Sequence, residues 1–319
     1  MRDRGAAVDG AGVNLVRRLR PGMAATICIV SAACSGAVPA APPVAQREVK
    51  APSPPTAPVI ARPASPAGFR LDGEFTQGGW AKGTAPVGTV SLSLDGTPVA
   101  VAPDLTFLAA FDRDASSSAR LVARLADGRE LSRDIAVSPR AWRIEHVPVA
   151  PRPPAIPSAE FQRRRADELA RIATARALDT GSTGWRQAFA WPARGRLSGL
   201  FGSQRIYKGT PGSYHSGMDI ATGTSGTPFT APADGVVVLA AQSPFTLEGH
   251  LLMIDHGMGL NSAFLHCSQV LVKEGDTVRQ GQVIGRIGMS GRASGPHLHW
   301  SLKWRDARLD PLLWLPPAR

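Results

Sequence analysis

From Phe69 to about Trp142, apolar and polar positions alternate with a period of two. Val90, Leu92 and Leu94 interleave with serines, Asp95-Gly96 marks a turn, and Val99 and Val101 resume the alternation. Phe107, Ala109 and Phe111 repeat it, and two further runs, Leu121 to Leu125 and Leu131 to Val137, flank Asp127-Gly128. Short strands at this spacing predict a small β-sandwich over 68–142. It carries no visible chemistry.

The period changes after Ser158, which predicts a helix to about Leu178 with Ser158 as its cap and Gly181 as its stop. Its predicted inner face is Leu169, Ile172, Ala173 and Ala177. Arg163, Arg164 and Arg165 offer contacts to an anionic polymer, although a solvated helix face is the commoner use of such a run. Beyond Trp191-Pro192 the apolar runs are short and bounded by Gly, Pro and Asp: 230–239, 251–255 and 283–287. They predict an antiparallel β domain over 185–319. Two proline-rich stretches, 41–67 and 147–157, read as extended spacers, because proline fixes φ and removes a donor. The expected order is a targeting segment (1–40), a spacer (41–67), the sandwich (68–142), a linker with the helix (143–184) and the C-terminal domain (185–319). The chain is thus read as mainly β.

Composition changes this picture little. The chain has 319 residues, 43% of them hydrophobic, as in ordinary globular proteins. Its formal charge of +11 suits an anionic partner. No lysine-rich tract, zinc-finger spacing or RNP-like motif directs that charge to nucleic acid. Near the N-terminus, Arg17, Arg18 and Arg20 precede the short apolar run 23–33, small residues and a Val38-Pro39-Ala40 cleavage candidate, the pattern of an export signal. Cys34 after Ser-Ala-Ala fits a lipoprotein box except at Ser31, and Met23 is an alternative start. The expectation is therefore a periplasmic or cell-envelope protein, with or without a membrane tether. A processed chain that kept only Cys267 of the three cysteines could form no internal disulfide.

The chemistry is concentrated at the C-terminal end. Of seven histidines, all but His146 fall between His215 and His299. Clustered imidazole beside carboxylate suits zinc. His215 and Asp219 are four apart, but Gly217 argues against a helix, so a loop or bent strand must bring them together. His297 and His299, two apart, share a face if the segment is a strand, about 7 Å from one another. Leu298 and Trp300 then point to the packed side. His266 follows an apolar run.

Together these residues resemble the M23 (lysostaphin/LytM-type) peptidoglycan metallopeptidases. The resemblance covers roughly Phe189 to Pro311. It rests on Trp191-Pro, Phe201-Gly, Tyr214-His-Ser-Gly-Met-Asp219, Thr230-Ala-Pro-Ala-Asp-Gly235, Ile254-Asp-His-Gly257, Lys273-Glu-Gly-Asp276, Gly288-Met-Ser-Gly291, Gly295-Pro-His-Leu-His-Trp300 and Asp310-Pro311, in this order. It implies a LytM-like antiparallel domain with zinc held by His215, Asp219 and His299. His297 is implied as the catalytic histidine and His266 as a further active-site histidine. The implied activity is hydrolysis of peptide cross-links in peptidoglycan, D-alanyl–diaminopimelate bonds being the expected ones, with the peptide stems as partner. The alternative is a non-catalytic activator of cell-wall amidases, although such relatives typically lack part of the zinc set. His250 and His256 match no ligand position and are read as structural. Phe264 stands where many relatives carry Tyr, and Cys267 is read as a small core residue. No HExxH helix occurs, so a histidine must supply the base.

Overall fold

Alternation builds the first part of the computed structural model, which describes residues 68–150 and 158–317. The expected export segment, the first spacer and residues 151–157 of the second lie outside the described residues. β1 (Arg70–Glu74), β2 (Trp80–Thr84) and β5 (Thr106–Ala110) form one antiparallel sheet in the order β1-β2-β5. β3 (Thr89–Leu94), β4 (Thr97–Val99), β6 (Ser118–Leu125) and β7 (Glu130–Ala136) form a second, ordered β4-β3-β6-β7. Asp95 and Gly96 join β3 to β4 with φ of 49° and 79°. Positive φ at both central residues is the type I′ geometry that the twist of a hairpin favours. Leu92 and Leu94 are buried as the alternation predicts, but Val90 is 65% exposed. A bulge between Thr89 and Ser91 shifts the β3–β6 register there, and the extra residue turns outward.

β8 (Ile144–Val147) pairs in parallel with β10 (Gln204–Tyr207), which itself pairs with β11 (Thr210–Pro211). The helix α1 (Ala159–Ala177) begins at Ser158, whose hydroxyl accepts from the Phe161 N–H, as expected of the cap. Its inner face is not the predicted one. Glu168 and Ala175 are buried with Ile172 packed beside them, whereas Leu169 is 49% exposed. A carboxylate takes the inward position because partners wait for it: Glu168 accepts from the N–H and hydroxyl of Thr246, both at 2.7 Å. Arg164 and Arg165 also pair with it; Arg165 is largely buried there, whereas Arg164 stays more than half exposed on the solvated face.

The C-terminal part contributes β9 (Arg196–Gly199), β12 (Met218–Ala221), β13 (Pro228–Thr230), β14 (Gly235–Ala240), β15 (His250–Asp255) and β16 (Leu260–Cys267). It ends with β17 (Gln269–Val270), β18 (Thr277–Val278), β19 (Val283–Arg286), β20 (Leu298–Trp304) and β21 (Ala307–Leu309). An antiparallel sheet runs β18-β14-β15-β16-β20-β12-β9, with β21 on β20, and a smaller sheet runs β13-β19-β17. Phe229, Phe264, Trp300 and Phe189 fill the core beneath it. The sandwich shares that core. The Trp80 indole donates to the Leu313 carbonyl at 3.0 Å, and Arg113 donates to the Gly202 carbonyl at 2.9 Å. The fold is mainly β, as the patterning predicts.

Candidate metal centre

Strand register brings the first two residues together. β12 and β20 are antiparallel neighbours with Asp219 opposite His299, so their side chains rise from the same face. His215 reaches them from the loop before β12. That loop is pinned by two backbone bonds, Gly202 N–H to the His215 carbonyl and His215 N–H to the Ser203 carbonyl, both 2.8 Å. His215 Nε2 lies 3.1 Å from Asp219 Oδ1 and 3.1 Å from His299 Nδ1, and His299 Nδ1 lies 2.8 Å from Asp219 Oδ1. Donors held on one ion at bonds of about 2 Å stand about 3.3 Å apart in a tetrahedron, so the spacing of these two imidazoles and the carboxylate is compatible with a shared metal ion. Among the described residues this is the cluster that could hold an ion.

Two glycines make room for it. A Cβ at Gly199, opposite Asp219 on β9, would sit 2.3 Å from Asp219 Oδ2. One at Gly217 would sit 2.7 Å from His299 Nε2. Neither position can carry a larger side chain without moving a member of the cluster.

The hydrogen bonds fix which ring nitrogen is free. His215 Nδ1 lies 3.2 Å from the Leu200 carbonyl, which can only accept, so Nδ1 carries the proton and Nε2 presents its lone pair to the centre. His297 Nδ1 donates to the Gly295 carbonyl at 2.8 Å, leaving Nε2 free 3.7 Å from Asp219 Oδ1. His266 Nδ1 donates to the Ser290 carbonyl at 2.9 Å, and its ring centre is 5.0 Å from that of His297. His297 sits one residue before β20, bridged to Gly288 rather than inside the strand. Leu298 and Trp300 are fully buried on the other side.

Charge follows the geometry. Burial alone would raise the Asp219 carboxyl, but hydrogen bonds from His215 and His299 outweigh it and hold the group well below the usual carboxylate range. Burial is the largest single influence on His215 and pulls it down, but the Asp219 hydrogen bond, the Asp219 charge and the backbone bonds at Leu200 and Gly217 together outweigh it, so it lies above its ordinary value. Burial depresses His299 and His266, and neighbouring imidazoles add to both effects. His266 is therefore held neutral near pH 7.

Two features escape sequence reading. At His266, β16 carries one residue more than β15 between the pairs Cys267–His250 and Phe264–Leu252, and His266 adopts φ of 63°. The bulge and its left-handed residue re-aim that side chain. The other is the support of its loop. The His266 N–H donates to the Glu248 carbonyl at 2.8 Å, and the Glu248 carboxylate takes both Arg165 Nη atoms, at 2.6 and 2.8 Å. Partners 83 residues apart on α1 and a loop leave no local signal.

The remaining candidates lie elsewhere. His256 is fully buried between the Asp234 carbonyl and the Ser262 hydroxyl, and burial pushes it down to about 4. The His250 Nδ1 bonds the Ala241 carbonyl at 3.0 Å. Cys267 is a core residue, its thiol pushed by burial up to about 12. Phe264 is buried against Trp300 and offers the centre no polar group.

Residues 213–311 match Peptidase family M23. The chain is 38% identical over 117 residues to the peptidoglycan DD-endopeptidase ShyA of Vibrio cholerae, a match covering 36% of this chain and 26% of that protein. It is 38% identical over 133 residues to the lipoprotein NlpD/LppB homolog of Pseudomonas aeruginosa, covering 42% of this chain and 40% of that one. In both cases the match spans less than half of the curated relative. A crystal structure of a Pseudomonas aeruginosa protein assigned to peptidase M23 superposes with a TM-score of 0.57 at 27% identity, over 76% of this chain and 95% of that one. That likeness extends beyond the family match.

Proposed function

We propose that this protein, whose residues 213–311 match peptidase family M23, is a zinc-dependent endopeptidase that hydrolyses peptide cross-links of bacterial peptidoglycan. The observation that carries this reading is the convergence of His215, Asp219 and His299 within hydrogen-bonding distance, with His297 and His266 beside them. Zinc, if bound, would be held by these three and would supply Lewis-acid polarisation of a carbonyl and a water acidified to a pKa of about 7.

The chain's own groups supply the proton transfers. His297 Nε2, whose lone pair is left free by the Nδ1–H bond to Gly295, takes a proton from the attacking water and returns it to the leaving amide nitrogen. His266, neutral and fixed by Ser290, orients the reacting oxygen. The site cleft, about 410 Å³, is lined by Tyr214, Leu247 and Arg292 beside the histidines, enough for a short stretch of peptide.

The bond expected is D-alanyl–diaminopimelate, in line with the DD-endopeptidase name of the Vibrio relative. A periplasmic or envelope location follows from that substrate and from the export-like N-terminus. Digestion of purified sacculi, followed by mass spectrometry, tests the reading. Cross-linked dimers should become monomers. Release of stems from the glycan only after an amidase is added would replace this function with that of an activator.

A further inference from the structure

A second hollow, of about 690 Å³, opens beside the metal centre between α1 and the sheet. Its floor follows the two-residue period of one sheet face: Leu251 and Met253 on β15, Ala263 and Leu265 on β16, Ser301 and Lys303 on β20. His299 and Ser216 line it where it meets the centre, so the two cavities share an edge. The α1 residues whose pattern predicted a core face, Leu169, Ala173 and Ala177, form its apolar wall.

The charges around this hollow are unevenly partnered. Four cations, Arg176, Lys303, Arg305 and Arg308, line it with only two carboxylates, Glu248 and Asp306. Glu248 is committed to Arg165, and Asp306 is fully exposed, 3.7 Å from Lys303. Arg308 donates to the Tyr214 hydroxyl and Arg305 to the Pro98 carbonyl. Arg176 Nη1 is buried and has no hydrogen-bond partner among the described residues. Leaving such a donor unpaired costs as much as losing a hydrogen bond, and more for a charged group. Burial, and then the like charge of Arg308, push Arg176 below its ordinary value; burial and Arg176 do the same to Lys303.

We propose that this hollow is a subsite for a free carboxylate of the peptide substrate, received by Arg176 and Lys303 while the bond to be cut lies over His215, Asp219 and His299. The inference rests on the cross-link hydrolase reading. Stem peptides cross-linked through diaminopimelate carry free carboxylates on that residue and on glutamate, and their alanine methyls suit the apolar wall. A guanidinium with a vacant donor beside an ammonium favours a carboxylate over the isosteric carboxamide, which has half its acceptor oxygens and no charge. The subsite would make the enzyme sensitive to whether the stem is amidated.

The test uses the full chain loaded with zinc and two probes, each with free or amidated stem carboxyls: a single stem tetrapeptide for binding, and a cross-linked dimer for hydrolysis. Titration calorimetry should find the acid tetrapeptide bound about tenfold more tightly than its carboxamide, the size of one charge-assisted hydrogen bond. Arg176→Gln and Lys303→Gln should each bring that ratio close to one. Lys303 is less buried than Arg176, so Lys303→Gln carries the prediction if Arg176→Gln does not fold. Equal binding of both forms by the wild type, or an unchanged ratio in a folded Arg176→Gln or Lys303→Gln chain, would overturn the subsite. Dimer hydrolysis separates the two claims. Cleavage of acid and amide dimers at equal kcat/KM sinks the subsite and leaves the hydrolase. A persistent acid preference in binding with intact dimers keeps the subsite and removes the hydrolase.

Discussion

β6 and β16 are both eight residues long and read in opposite ways. In β6, buried Ala119, Leu121, Ala123 and Leu125 alternate with outward residues, so one face meets the core and the other water. β16 is buried along nearly its whole length and still carries Asn261, Ser262 and His266. Two of these polar side chains have partners, whereas Asn261 Oδ1 is buried without one among the described residues. The Ser262 hydroxyl bonds both His256 and the Trp300 indole, and His266 bonds Ser290. Period-two alternation marks a strand that only packs, whereas polar residues inside a buried strand mark one that supports a site.

The largest expected effect lies on the site side of that contrast. His299→Ala or Asp219→Ala leaves two protein ligands of three, so zinc should fall from about one per chain to near none, with cleavage at background. Elemental analysis after dialysis checks it. Normal zinc in His299→Ala would remove this residue from the centre.

His256, the buried partner of Ser262, should make stability depend on pH. Its folded pKa, about 4, lies below its ordinary 6.5, so between these values the unfolded chain binds the extra proton. Stability should therefore fall as pH drops from 6.5 to about 5, by about 2 kcal/mol from this group. Urea unfolding of wild type and His256→Gln isolates the contribution. Parallel pH profiles in the two proteins would contradict it.

Two glycines sharpen the comparison further. Gly199→Ala pushes a methyl against Asp219 and should cost about 10²-fold in turnover through misplacement of the site. Gly96→Ala meets no atom within 4 Å but must hold φ of 79°. It should cost about 1 kcal/mol of stability and leave turnover unchanged. Kinetics and chemical denaturation on both variants separate close approach from backbone strain.

Much of this was legible beforehand, for reasons visible in particular residues. The Asp95-Gly96 turn and the Leu121–Leu125 alternation are local signals, and the structure carries both. The five site residues could be named because motif order singled them out, and the fold brings them into one cleft. β1 and β2 were harder to see, since Gly73 and Gly83 and half-buried positions blur their period. The inner face of α1 was misread because hydrophobicity ranks Leu169 above Glu168, while the Thr246 and arginine partners that reverse the order are supplied by tertiary contact. Those contacts bear on the domain division as well. A fragment beginning at 185 would lose α1, and with it Arg165 on Glu248 and Glu168 on Thr246, so activity should be assayed on chains that retain the helix.

The account turns on His297 moving protons without holding the metal. Zinc content and the rate of dimer-to-monomer conversion, measured together on His297→Ala in the full chain, address it directly. The expected result is about one zinc per chain and a fall in turnover of at least about 10²-fold, the smaller end of what a general acid–base group contributes. Cross-link cleavage at the wild-type rate by a zinc-replete His297→Ala would contradict it.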